Sequence, residues 1–267
     1  MPTSVPTRIL VAPSGFKESL SPEGVCQAVA AGVRRLLPGA VVVELPLVDG
    51  GEGSAATMAR ATGGDLVTTR VTGPVGEPVD SYLARLGGSA QGTWLVEMAA
   101  AAGLRLVPAG MRDPGATTTT GVGELISVAL DNGARRIIIG CGDSGTCDGG
   151  AGALVALGAR PLDAGGDEVD PIGSNLARVR RIETSGMDPR LRDVEVLVAG
   201  NMHNLLTGER GVARVFGPQK GASPEQVEAL EAGLVHWAGL LTEAFPAQAA
   251  HRDPPTGPRT GAPGGRG

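Results

Sequence analysis

One five-residue pattern occurs twice, "DGGEG" at Asp49–Gly53 and "DGGAG" at Asp148–Gly152, each time between an apolar run and an alanine-rich stretch. No other feature constrains the backbone as much. The apolar run reads as a buried strand, the alanine-rich stretch as a helix, and the glycines as the tight turn joining them. A chain built of strand, glycine corner and helix is directed toward an α/β fold with loops gathered at strand ends.

The surrounding segments carry the same pattern. "RILVAP" (Arg8–Pro13) reads as a buried parallel strand and "VVVELPLV" (Val41–Val48) as a second one. Between them Ser21 caps a helix that takes Pro22 in its first turn. After "SAATMARAT" and Gly63–Gly64, residues 66–98 change texture to strand pairs joined by Gly-Pro turns, which places a domain boundary near residues 64–72. "TTTTGVGELISVALDNG" predicts a threonine-capped helix ending at Gly133, and "RRIIIGCG" a strand leading into the second corner. "VEVLVAG" (Val194–Gly200) predicts a strand ending at "NMHN", and "SPEQVEALEAGLVHWAGLLTEAF" a capped amphipathic helix. From His251 onward nine of 17 residues are Pro or Gly and apolar side chains are nearly absent, so no fixed fold is expected there.

Two chemistries suit such corners. Helix N-terminal amides and glycines admit a phosphate, and an Asp beside them suits Mg²⁺, which takes one or two carboxylates plus phosphate oxygens. The alternative is structural: glycines fit tight turns and Asp caps the helix. No G-x-x-x-x-G-K-[ST] sequence and no protein-kinase signature is present.

Composition narrows the partners. A net charge of −5 and six aromatic residues offer neither a basic field nor stacking platforms for nucleic acid. No run approaches the ~20 apolar residues of a spanning helix, so no membrane partner is expected. The N-terminus lacks a secretory pattern, and Cys26, Cys141 and Cys147 lack zinc-like spacing, which predicts a cytoplasmic protein with reduced thiols. Against 21 Arg stand two Lys, Lys17 and Lys220, both in glycine-flanked loops beside a Phe. Arg cannot replace Lys where a compact ammonium must fit against phosphate. Of the three histidines, His203 alone sits at a strand end, His236 being in a helix and His251 in the tail, so "GDSG" around Ser144 does not signal a protease. Glu97, at the end of "TWLVE", reads either as a cap or as a site carboxylate.

Taken in order, "APSGFKESL", "DGGEG", "EMAAAAGL", "TTTTGVGE", "GCGDSGTCDGGAG", "AGNMHNLLTG" and "FGPQKGAS" resemble the motif series of the bacterial two-domain glycerate kinases, from about residue 8 to residue 245. The resemblance implies two α/β domains, a flavodoxin-like parallel-sheet domain with a second mixed α/β domain inserted. Residues 1–68 would begin the first, residues 69–245 would hold the inserted domain and the return toward the first, and residues 246–267 would form a Pro/Gly-rich tail. It also implies ATP- and Mg²⁺-dependent phosphorylation of D-glycerate, or of a related small hydroxy acid, to 2-phosphoglycerate or its analogue.

Carried onto this sequence, the resemblance makes Lys17, Asp49 and Asp148 catalytic, with Asp49 and Asp148 also holding the metal. Gly50, Gly51, Glu52, Thr119, Thr120, Ser144, Gly149, Asn201, Gln219 and Lys220 would bind substrate or phosphate. Three departures qualify it. Ser14 and Asn201 stand where the family pattern has acids, and Asp143 stands where it has glycine. The ending "PTGPRTGAPGGRG" also departs from the family's continuation, which implies that the C-terminal part of the first domain is absent and that a second copy or a partner covers the open sheet. A homologue that binds nucleotide or phosphorylated ligand without efficient turnover is the alternative reading.

Overall fold

The computed structural model describes residues 8–16, 19–200 and 204–246. Strand β1 (Arg8–Val11) runs through helix α1 (Pro22–Leu36) to strand β2 (Val41–Glu44), and the two strands pair in parallel. Helix α1 starts where its sequence dictates, with Ser21 Oγ accepting from Gly24 N and Pro22 in the first turn. The expected second strand reaches Val48, but regular pairing stops at Glu44. Leu45 N and Leu47 N still donate to Val11 O and Pro13 O, at 2.8 and 2.9 Å. Pro13 has no N–H to return a bond, so the ladder continues on one side only. The first glycine corner then opens helix α2 (Ser54–Thr62), which stops at Gly63 in the left-handed region.

Strands β3 (Asp65–Thr72) and β4 (Pro78–Arg85) form an antiparallel pair, and β5 (Thr93–Glu97) adds antiparallel to β4. Strand β3 runs unbroken, so the change of texture marks the start of a new sheet, and a division at residue 68 falls inside a strand. Helix α3 (Met98–Ala102) and α4 (Thr120–Asp131) precede β6 (Arg136–Gly140); α5 (Ala151–Ala156), the β7 (Arg160–Leu162) and β8 (Arg181–Glu183) pair, and β9 (Glu195–Ala199) follow. Helices α6 (Val212–Phe216) and α7 (Pro224–Ala244) complete the order. Among the described residues the main sheet has the order β3-β4-β5-β6-β9, with β5, β6 and β9 mutually parallel. The chain is therefore mixed α/β.

Strand periodicity builds two faces on this sheet. Trp94, Val96 and Ile137 point toward α4, whose Leu125, Ile126 and Ala129 are buried against them with Leu83. Leu95 and Ile138 point the other way, toward Ala55 and Ala59 of α2. Glu97 shares the parity of Leu95, so β5 delivers a carboxylate to the start of α2. Helix α7 anchors a third cluster through Leu230, Leu234 and Trp237, packed on Leu176, Val179 and Ala213. It opens with the reciprocal capping box predicted from "SPEQ", Ser223 and Gln226 exchanging bonds of 3.2 and 2.9 Å. No described helix is long and apolar enough to cross a membrane.

Candidate active site

The first corner lies across the C-terminal ends of the parallel strands β5, β6 and β9, where open α/β sheets place their ligands. Gly50 makes the seating possible. Its φ is +86°, and a Cβ there would meet Ala199 O at 3.0 Å and Gly140 Cα at 3.2 Å. Gly142 N donates to Gly50 O at 3.1 Å, tying the corner to the loop after β6.

Carboxylates occupy the amides of this corner. Gly51 N donates to Asp49 Oδ1 at 3.0 Å and Glu52 N to Asp143 Oδ2 at 3.1 Å. Gly53 N and Ala55 N donate to Glu97 Oε1 and Oε2 at 3.1 and 2.9 Å. The amides of Gly51, Glu52, Gly53 and Ala55, the first two of them in the expected phosphate cradle of Gly50, Gly51 and Glu52, are thus taken up here by three side-chain carboxylates. Asp143, which the family motif has as glycine, is the non-glycine residue with positive φ among those described, at +55°. Its carboxylate stands against Gly51, on the side where Asp49 Oδ1 also lies.

Glu97 is fully buried, and burial pushes its carboxyl above the ordinary range, against the amides of Ala55 and Gly53 and the Tyr82 hydroxyl, which favour its charged form. Tyr82 Oη donates to Glu97 Oε1 at 3.3 Å, and burial beside that carboxylate raises its own pKa to about 12. Glu97 thus acts as the cap of α2 from across the sheet. Glu52 is exposed and pairs with Arg105, Nε to Oε1 at 3.3 Å. Nothing local in the sequence marks Arg105 or Tyr82; the fold brings both to the corner.

The second corner is a different object. Asp148 Oδ2 accepts from Thr119 N at 2.8 Å, Thr119 Oγ1 at 2.7 Å and Gly152 N at 3.1 Å, and Oδ1 accepts from Gly150 N at 3.2 Å. The residue is 1% exposed, and burial pushes its carboxyl up against the pull of these donors. Asp148 clamps the start of α4 to the start of α5. Its expected metal and catalytic roles would need an oxygen open to a ligand, and in this structure both oxygens hold amide or hydroxyl donors. Thr119 is spent likewise: its Oγ1 bonds Asp148 and accepts from Ala153 N at 3.0 Å, instead of capping its own helix. Thr120 bonds Thr118 Oγ1. Gly149 accepts the Trp237 Nε1 proton at 3.1 Å, and a Cβ there would meet the indole at 2.8 Å, so α7 covers this glycine.

Between the corners lies the second Lys of the sequence. Lys220 is 5% exposed and its Nζ donates to Ser144 Oγ at 2.9 Å and to Thr146 O at 2.6 Å. Ser144 follows Asp143, whose carboxylate meets the first corner at Glu52 N, so the loop after β6 touches the corner through Asp143 and Lys220 through Ser144. Gln219 is exposed on the neighbouring turn. Lys17, Asn201, His203 and His251 lie outside the described residues, as does the tail from residue 247. His236 Nε2 is hydrogen-bonded to Val179 O at 2.6 Å. Burial raises the pKa of Cys141 to about 11 and pushes that of Cys147 up, which disfavours the thiolate at both.

Among the described residues no group of three His, Cys, Asp or Glu forms a closed metal set. Mg²⁺ needs fewer: one or two carboxylates and its waters. Exposed Asp49, with Asp143 facing it across Gly51, fits that demand; buried Asp148 does not.

The same series of loops is found in known proteins. The model of the glycerate kinase family matches residues 9–267. The chain is 46% identical over 238 residues to the glycerate kinase of Bacillus subtilis strain 168, covering 89% of this chain and 62% of that protein. It is also 46% identical to the glycerate 2-kinase of Escherichia coli K12, over 97% of this chain and 66% of the relative. A crystal structure from Salmonella typhimurium LT2, provisionally named glycerate kinase 2, superposes with a TM-score of 0.75 at 44% identity, over 90% of this chain and 63% of the other. The chain thus spans less than two thirds of the length of these relatives. On the fold, the ordered loops and these likenesses together, the chain belongs to the glycerate kinase family.

Proposed function

We propose that this chain phosphorylates a hydroxyl of D-glycerate, or of a related small hydroxy acid, with ATP as donor and Mg²⁺ as cofactor. The observation that carries the reading is the placement of an acidic corner, Asp49 with Asp143, beside Ser144 and the buried Lys220 at the ends of parallel strands. Asp49 and Asp143 would hold Mg²⁺, which supplies neutralisation of phosphate charge. In the transfer, the acceptor oxygen forms a bond to the γ-phosphorus while the bond to the β–γ bridging oxygen breaks. ADP leaves with that electron pair, and the hydroxyl proton passes to a carboxylate, for which exposed Asp49 is placed. Phosphoryl transfer asks the protein mainly for positioning and charge neutralisation. Lys220, held by Ser144 and Thr146, supplies a fixed cation against the loop that carries Asp143. The free thiols of Cys26, Cys141 and Cys147 suit a reducing compartment, and the cytoplasm is part of the proposal.

The β1–β2 pair leaves Leu10, Val41, Leu45 and Leu47 about half or more exposed. A two-stranded parallel sheet is not stable uncovered. A second copy or a partner protein is proposed to cover it; a monodisperse monomer in light scattering would refute this.

The test is phosphorus NMR of the folded chain with Mg-ATP and D-glycerate. A new phosphomonoester resonance, lost in Lys220→Met, supports the reading. Intact ATP with a folded chain by circular dichroism refutes turnover and favours a homologue that binds without transferring.

A further inference from the structure

The first corner concentrates four acids, Asp49, Glu52, Glu97 and Asp143, whose side chains or amides interlock. A hydroxy acid brings one more negative charge to that place, and like charges repel unless a cation intervenes. The corner amides are occupied by carboxylates, so beside the proposed Mg²⁺ the group that can meet that charge is a cationic side chain. Among the described residues, Arg105 makes ion-pair contact with the corner, through Glu52.

Three observations make Arg105 a receptor for a carboxylate. Its partner is replaceable: Arg105 and Glu52 side chains are 39% and 42% exposed, a pair that solvent reaches and that holds weakly. Its backbone is fixed at the corner, since Leu104 N donates to Asp143 O at 2.9 Å and Leu106 N to Gly103 O at 3.0 Å. Its charge already acts on the groups around the site, lowering the pKa of both Tyr82 and Glu97 against the larger effect of burial.

Resting on the proposed function, we infer that Arg105 selects the acceptor by its charge: the acceptor's carboxylate replaces Glu52 on the guanidinium, and Glu52 turns out to solvent. A guanidinium fork matches a carboxylate with two parallel N–H donors, which a lysine cannot reproduce.

Ligand-observed NMR titrations of D-glycerate and of uncharged glycerol against the whole chain test this. Arg105→Gln is expected to weaken D-glycerate binding roughly ten- to a hundredfold, the worth of a charged hydrogen-bonded contact, and to leave glycerol unchanged. Arg105→Lys restores part of the affinity for the acid, and Glu52→Gln, which removes the competing carboxylate, tightens it. Equal weakening of both ligands in Arg105→Gln, or none, overturns the assignment while leaving the kinase reading standing. A wild-type chain that is folded and binds no D-glycerate overturns both.

Discussion

Replacing Asp148 with alanine removes one carboxylate and strands the donors it holds: the amides of Thr119, Gly150 and Gly152 and the Thr119 hydroxyl. The hydroxyl can rotate to another acceptor, but the three amides cannot. Each buried donor left without a partner costs about 1–3 kcal/mol. Water entering the gap recovers part of that, so a net loss of about 3–5 kcal/mol is expected. For a chain of this size that corresponds to a fall in Tm of roughly 8–15 °C. Asp148→Asn separates charge from geometry. With its carbonyl oxygen at the Oδ2 position it keeps Thr119 and Gly152, and its amide faces Gly150 N, donor against donor. About 1–3 kcal/mol is then expected. Thermal and urea unfolding followed by circular dichroism should therefore rank wild type above Asn and Asn above Ala. Were Asp148 a metal ligand or base, alanine would abolish activity and leave Tm unchanged or raised, because a buried charge would have been removed. A Tm for Asp148→Ala within about 1 °C of wild type would refute the clamp.

Other perturbations probe the remaining contacts. Lys220→Met should lower kcat/KM by about 10²–10³ if Lys220 is the fixed cation, and Lys220→Arg should not rescue it, since a planar guanidinium does not reproduce a compact ammonium bonded to Ser144 Oγ and Thr146 O; steady-state kinetics decide. Trp237→Phe keeps the packing of α7 and loses the bond to Gly149 O, for an expected cost of about 1 kcal/mol in urea unfolding. The carboxyl of Glu97 titrates above its ordinary value of 4.5 in the folded chain, so the folded state holds the proton more tightly than the unfolded one. Its contribution is fully present below that value and is lost as pH rises through the raised folded pKa. Urea midpoints measured from pH 4 upward should show a shallower decline in Glu97→Gln than in wild type; a residual slope belongs to Asp148, which shifts in the same direction.

The sequence by itself determined the local elements, because the interactions that set them are short in range. Ser21 and Pro22 start α1, Ser223 and Gln226 start α7, and Gly63 and Gly133 terminate helices, each through contacts within four residues. It also fixed that two acids and their glycines would sit at strand-to-helix corners, and that two lysines were set apart from the arginines. The identical letters of the two corners could not say which would face a ligand. That was decided by partners remote in the chain: Glu97 lies 44 residues from Gly53, Asp143 91 residues from Glu52, and Thr119 29 residues from Asp148. Strand parity carries Glu97 to α2, and the strand order carries the loop after β6 over Gly51. The first Asp is thereby left at the surface among other acids. The second is sealed under α7 and paired with amides, because a carboxylate taken from water must find donors wherever the packed chain supplies them.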